Sequence, residues 1–138
     1  MNQTIRAFGY PETLIKEYPN WVALLRPEQV TVGSLVLASK SEALHLGELS
    51  AGEWAEFADI SNQMEALLRE RFGAEKFNYL ALMMVDLNVH FHLIPRYSKP
   101  VKLGGREYLD PDWPSKTELT SIKLTTEELS QVKLVLKS

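Results

Sequence analysis

The stretch Asn88-Val89-His90-Phe91-His92-Leu93-Ile94-Pro95-Arg96 constrains the fold of this chain more than any other. His90 and His92 alternate with Val89, Phe91 and Leu93, and successive strand side chains point to opposite faces, so a strand puts both imidazoles on one side and the apolar residues on the other. Such a strand needs a sheet with a core behind it. At a rise of about 3.4 Å per residue the two histidines stand about 7 Å apart at Cα, close enough for one ring to act and the other to support it. Imidazole is the side chain best suited to serve as nucleophile, acid or base near neutral pH. Asn88, on the same face, can donate through its amide but cannot shuttle a proton.

The rest of the chain supplies the sheet and its cover. Leu14 to Tyr18 and Trp21 to Leu25 read as two short strands turning at Pro19-Asn20, and Ser34 to Ala38 is a continuous apolar strand preceded by a backbone bend at Gly33. The clearest helix runs from Ala51 to Phe72. Ser50-Ala51-Gly52-Glu53 has the spacing of a capping box, Gly73 is a stop signal, and Trp54, Phe57, Ile60, Met64, Leu67, Leu68 and Phe72 form one apolar stripe. Asn78 to Val85 reads as a strand that pairs with the histidine strand across a short Asp86-Leu87 connection and so fixes its register. Beyond Tyr97 the turns at Lys99-Pro100, Gly104-Gly105 and Asp110 to Pro114 suggest a wrapping tail, and Thr125-Thr126-Glu127-Glu128 opens a terminal helix of about three turns. The fold class is therefore α+β: an antiparallel sheet of about five strands against one long helix, with a C-terminal tail.

With 138 residues, 45% of them hydrophobic, the chain suffices for one domain spanning 1–138, with a core of about 14–97 and a tail of 98–138. A net charge of −3 without a basic tract argues against nucleic acid as a partner. The absence of cysteine excludes disulfides, thiolate nucleophiles and Cys-containing zinc sites, which leaves His45 without partners for such a site. No secretory apolar run and no uninterrupted apolar window of membrane-spanning length is visible, so the expectation is a cytoplasmic protein with no membrane partner.

His90-Phe91-His92-Leu93-Ile94-Pro95-Arg96 resembles the second half of the signature of the histidine-triad (HIT) family of nucleotidyl hydrolases and transferases. The resemblance covers roughly Leu14 to Tyr97. It implies that His90 stands at the middle, nucleophilic position and His92 at the third, while Asn88 occupies the position of the first histidine. It further implies a HIT-like fold, attack of His90 on the α-phosphorus of a nucleotide substrate, a covalent nucleotidyl-histidine and its hydrolysis, with His92 steadying developing charge and no metal or cofactor required. Dinucleoside polyphosphates such as diadenosine tetraphosphate, and adenylated small molecules, are the implied substrates. Besides Asn88, three places depart from the family pattern. Gly33-Ser34 replaces a Gly-His pair, Arg26 falls near where the family often has a ribose-binding Asn or Asp, and Met84-Val85-Asp86-Leu87 replaces a glycine-rich, Gln-containing phosphate loop. Asn88, Arg26 and Ser34 are accordingly the candidate nucleotide-binding residues.

Two other readings fit the residues: a nucleotide-binding protein with a weakened site, and a metal-dependent hydrolase in which His90 and His92 are joined by Asp86 or Asp112. Trp21, Val22, Leu24, Tyr79 and Leu80 read as apolar surface beyond what the long helix covers. Together with the pairing habit of histidine-triad relatives this predicts a homodimer, with Lys99 to Pro114 near the partner's site and anchored by Trp113.

Overall fold

A computed structural model describes residues 1–138. The elements are α1 (Gln3–Ala7), β1 (Leu14–Glu17), β2 (Trp21–Leu25), β3 (Leu35–Ser39), a single 3-10 turn at Leu46–Glu48, α2 (Ala51–Phe72), β4 (Lys76–Leu80), β5 (His90–Arg96), β6 (Val101–Leu103), β7 (Arg106–Tyr108) and α3 (Thr126–Lys137). Five strands form one antiparallel sheet in the order β1-β2-β3-β5-β4, and β6 pairs with β7 in a separate hairpin. The α+β expectation holds, with the long helix at the residues its caps predict. Ser50 Oγ accepts from the Glu53 N–H, and Gly73, at φ +78°, lets its own N–H reach the Arg69 carbonyl. The reciprocal half of the capping box forms only in α3, where Thr125 and Glu128 exchange both bonds.

The main core lies between α2, α3 and one face of the sheet. Trp21, Leu35, Leu37 and Leu93 from the sheet and Val89 just before β5 meet Ile60, Met64 and Leu68 from α2 and Val132 and Leu136 from α3. Phe57 and Trp54 stack about Trp21 and Phe91, with Phe57 and Phe91 centroids 4.6 Å apart. Gly33 is required at its position: its φ is +91°, and a Cβ there would stand 2.7 Å from Leu68 Cδ2.

The opposite face carries a second cluster, Val22, Leu24, Val36 and Ala38, roofed by Ile5 of α1 together with Phe8, Tyr10 and Leu14. This cover corrects the sequence reading in one respect. Trp21, Val22 and Leu24 are fully buried within the chain, and only Tyr79 and Leu80 remain half-buried, so the apolar surface from which a homodimer was argued is largely covered by the chain's own helices.

Two further corrections concern the segments around β5. The strand expected over Asn78 to Val85 ends at Leu80, the residue opposite His92, and residues 81–89 form an irregular connection with Met83 at φ +44°. Val85 is 90% exposed and Met84 78%. Strand propensity there is not realised, and from Met83 on the register leaves no residue of β5, which starts at His90, to pair with. The tail folds onto its own chain. Val101, Leu103 and Tyr108 join the main core, Asp110 ties to Arg96, and the Ile122 N–H donates to the Gln29 carbonyl. The anchor is Asp110 rather than Trp113, which is only half-buried.

Candidate functional site

β5 carries the site because it is an interior strand, held on one side by β3 and on the other by β4. His90 faces Ala38, and His92 faces Val36 on β3 and Leu80 on β4. The register of the histidines is thus fixed by β3 as much as by the expected hairpin. The rings lie on the face opposite Val89, Phe91 and Leu93, with centroids 5.1 Å apart. They are more enclosed than a half-buried strand suggests: His90 is 2% exposed and His92 5%. Phe8, just past the end of α1, covers both, with its ring centroid 5.4 Å from that of His90 and 5.7 Å from that of His92. His90 therefore touches packed residues as well as facing the site.

Each imidazole has one nitrogen committed. His90 Nδ1 donates to the Asn88 backbone carbonyl at 2.7 Å, which leaves Nε2 with its lone pair free. His92 Nδ1 accepts from the Arg26 Nε–H at 3.2 Å, which places its proton on Nε2. Burial, the Arg26 guanidinium and His90 together push the His92 pKa down to about 4, so at neutral pH this ring is a neutral hydrogen-bond donor. Burial also lowers the Arg26 pKa, against a partial rise from Glu28.

Arg26 is presented by a loop tied together by Gln29. That side chain donates to the Arg26 and Ser34 carbonyls and accepts from the Gly33 and Ser34 N–H groups, while Thr31 Oγ1 donates to the Pro95 carbonyl. Arg26 Nη1 donates to the Glu28 carbonyl, which leaves Nη2 without a partner in the chain. The candidates thus divide. Arg26 joins His90 and His92. Ser34 does not, because it is fully buried and its hydroxyl donates to the Thr31 carbonyl while accepting from the Thr31 N–H. Nor does the Asn88 amide face a ligand, since Oδ1 accepts from Thr4 and Nδ2 donates to Glu42. His45 is an exposed residue at the start of the 3-10 turn. No three His, Asp or Glu side chains gather closely enough to hold a metal ion, so neither Asp86 nor Asp112 completes a set with the histidines.

No protein-family model matches the sequence, and no curated protein sequence does. Solved structures do match. A histidine triad protein from Marinobacter aquaeolei VT8 superposes with a TM-score of 0.75 at 21% identity, over 99% of this chain and 92% of the other. A histidine triad (HIT) protein from Sinorhizobium meliloti 1021 gives 0.70 at 21% identity, over 99% and 93%. The NitFhit protein of C. elegans gives 0.66 at 14% identity over 91% of this chain, which spans only 27% of that protein's length. This chain has the histidine-triad fold.

Within that fold, sequence reasoning missed the N-terminal segment. Asn2, Thr4 and Phe8 all reach the neighbourhood of β5, and the one available signal was Asn2 itself, whose side chain accepts from the Ile5 N–H as a helix N-cap. Gln29 was missed too. A Gln-containing loop was sought just before the histidines, whereas the Gln that organises the loop presenting Arg26 lies at position 29.

Proposed function

We propose that the chain is a histidine-triad nucleotide hydrolase or transferase that cleaves at the α-phosphate of a dinucleoside polyphosphate or of an adenylated small molecule. The observation that carries this is the 2.7 Å bond from His90 Nδ1 to the Asn88 carbonyl, which fixes the tautomer with Nε2 available for attack. The Nε2 lone pair forms a bond to phosphorus as the bond from phosphorus to the leaving oxygen or nitrogen breaks, and the leaving group takes that electron pair. Water then attacks the same phosphorus and gives up a proton, which balances the one taken by the leaving group, the P–N bond breaks with its electron pair returning to His90 Nε2, and a nucleoside monophosphate is released. The His92 Nε2–H and the unpartnered Arg26 Nη2 donate to the phosphate oxygens, where negative charge concentrates during both displacements. Arg26 thereby takes the place of the absent glycine-rich loop, as a charged group rather than a row of amides.

Incubation with diadenosine tetraphosphate in the presence of a chelator tests this: the reading requires adenosine monophosphate to appear, together with an acid-labile adduct on His90 in rapidly quenched samples. An adduct on another residue, or turnover that the chelator abolishes, contradicts it. A second reading is favoured by the cover that Phe8 places over His90. On it the protein binds nucleotide but turns it over poorly, and equilibrium binding without product is the distinguishing result.

A further inference from the structure

Thr4 lies 84 residues from Asn88 in sequence, yet the two are joined by three hydrogen bonds. The Thr4 N–H and Oγ1–H donate to Asn88 Oδ1 at 3.4 and 3.0 Å, and Thr4 Oγ1 accepts from the Asn88 N–H at 3.0 Å. From the other side Asn88 Nδ2 donates to the Glu42 carbonyl at 3.3 Å. Both residues are buried, Thr4 2% and Asn88 7% exposed. This is not how a helical threonine ordinarily uses its hydroxyl, which turns back to a carbonyl in the preceding turn of its own helix. Nor does it cap α1, a role that Asn2 fills. What the arrangement immobilises is the Asn88 residue, by its side chain and its N–H; the Asn88 carbonyl that accepts from His90 Nδ1 lies in the next peptide, whose Val89 N–H donates to the Ala43 carbonyl at 2.9 Å.

We propose that Thr4 is a positioning residue for His90: by gripping Asn88 it aims the carbonyl that selects the His90 tautomer. This rests on His90 being the nucleophile. The amide at Asn88 then has its own explanation. A short side chain with both a donor and an acceptor fits between Thr4 and Glu42, whereas an imidazole in the neutral form offers one of each at a fixed and greater reach. Asn2 Nδ2, by donating to the Ser39 and Ser41 carbonyls, holds the same helix to the end of β3, and Ser39 in turn pairs its N–H with the Val89 carbonyl. The N-terminal helix is thus fastened to the end of β3 and to Asn88, and Thr4 acts on the carbonyl by fixing the residue that carries it.

The experiment uses the full chain with Thr4→Val, Thr4→Ser and Asn2→Ala. In nitrogen-15 spectra of wild type the His90 Nδ1–H should be observed as a slowly exchanging proton, with Nε2 unprotonated. Thr4→Val should lose that signal and mix the two tautomers, Thr4→Ser should keep it, and Asn2→Ala should keep it while lowering thermal stability. With substrate, Thr4→Val should lower kcat by about ten- to a hundredfold, the range expected when a reacting group is misaligned, with KM little changed. An unaltered His90 signal in Thr4→Val overturns the proposal, and so does an equal loss in Asn2→Ala, which would make docking of the whole helix the cause. The spectra decide this even for a protein that shows no turnover, so failure of the hydrolase reading and failure of the positioning role remain separate results.

Discussion

The two faces of the sheet are built on different physical terms. On one, a cluster of 21 buried apolar residues fills the space under α2 and α3, with aromatic rings stacked through its middle. On the other, five apolar residues share the surface with His90 and His92, with the polar side chains of Asn2, Thr4 and Asn88 that hold the cover in place, and with Arg96, which Asp110 of the tail pairs. Apolar packing is non-directional and spreads its energy over many contacts, whereas buried hydrogen bonds and ions are directional and costly to leave unpaired. The first face should therefore absorb substitution with gradual loss of stability. The second should respond in an all-or-none manner, in activity or in stability, to single groups.

The largest effect expected is on the polar face, from His90→Asn. It removes the proposed nucleophile and should reduce turnover by at least about ten-thousandfold, ~5 kcal/mol in barrier, and it should also lower the thermal midpoint, because the ring is buried against Phe8. Retention of most activity would remove His90 from the mechanism. Asp110→Ala should come next. Asp110 is bound in two places by the buried Arg96 guanidinium, at 2.6 and 3.1 Å, and its loss leaves that charge unpaired, at a cost of about 3–5 kcal/mol in denaturant unfolding. A cost under ~1 kcal/mol would mean that the pair is solvated and that the two faces differ less than described.

The pH dependence sharpens the same contrast. Because the folded pKa of His92 is depressed to about 4 from an ordinary 6.5, the unfolded chain binds more protons than the folded one between those values. Its contribution to stability is present above pH 6.5 and is lost progressively as pH falls from 6.5 to 4, with no further loss from this group below that. Replacing Arg26 with Ala removes a neighbouring cation and should raise the His92 pKa, which narrows the window; titration of the His92 ring signals checks both points, and an unchanged pKa in Arg26→Ala would sever the pair. The smallest effect belongs to the apolar face. Ile60→Val, in the middle of α2 and fully buried, should cost about 1 kcal/mol and leave turnover within twofold. A large change in activity there would show the core to be coupled to the site.

Much of this was legible in the chain itself. The caps at Ser50 and Gly73, the apolar stripe from Trp54 to Phe72 and the alternation through His90 and His92 are local patterns, and local patterns survive into the fold because they depend on neighbours a few residues away. Arg26 was legible as a loop residue, but not its bond to His92, 66 residues on. The strand over Asn78 to Val85 was overextended because apolar, β-prone residues were read without knowing where their partner strand begins. Ser34 and Asn88 carried the right chemistry for ligand contact, and only tertiary neighbours, Thr31 for one and Thr4 and Glu42 for the other, show that their polar atoms are engaged elsewhere.

By itself, then, the sequence determined an antiparallel sheet, its long helix and a strand with two imidazoles on one face, since periodicity and capping chemistry are properties of a single segment. The tertiary structure alone decided which nitrogen of each ring is free, what covers the rings and which carbonyl aims His90. Those outcomes are set by hydrogen bonds between segments distant in the chain, and the donor that wins is the one the fold brings within about 3 Å, which composition and spacing do not encode.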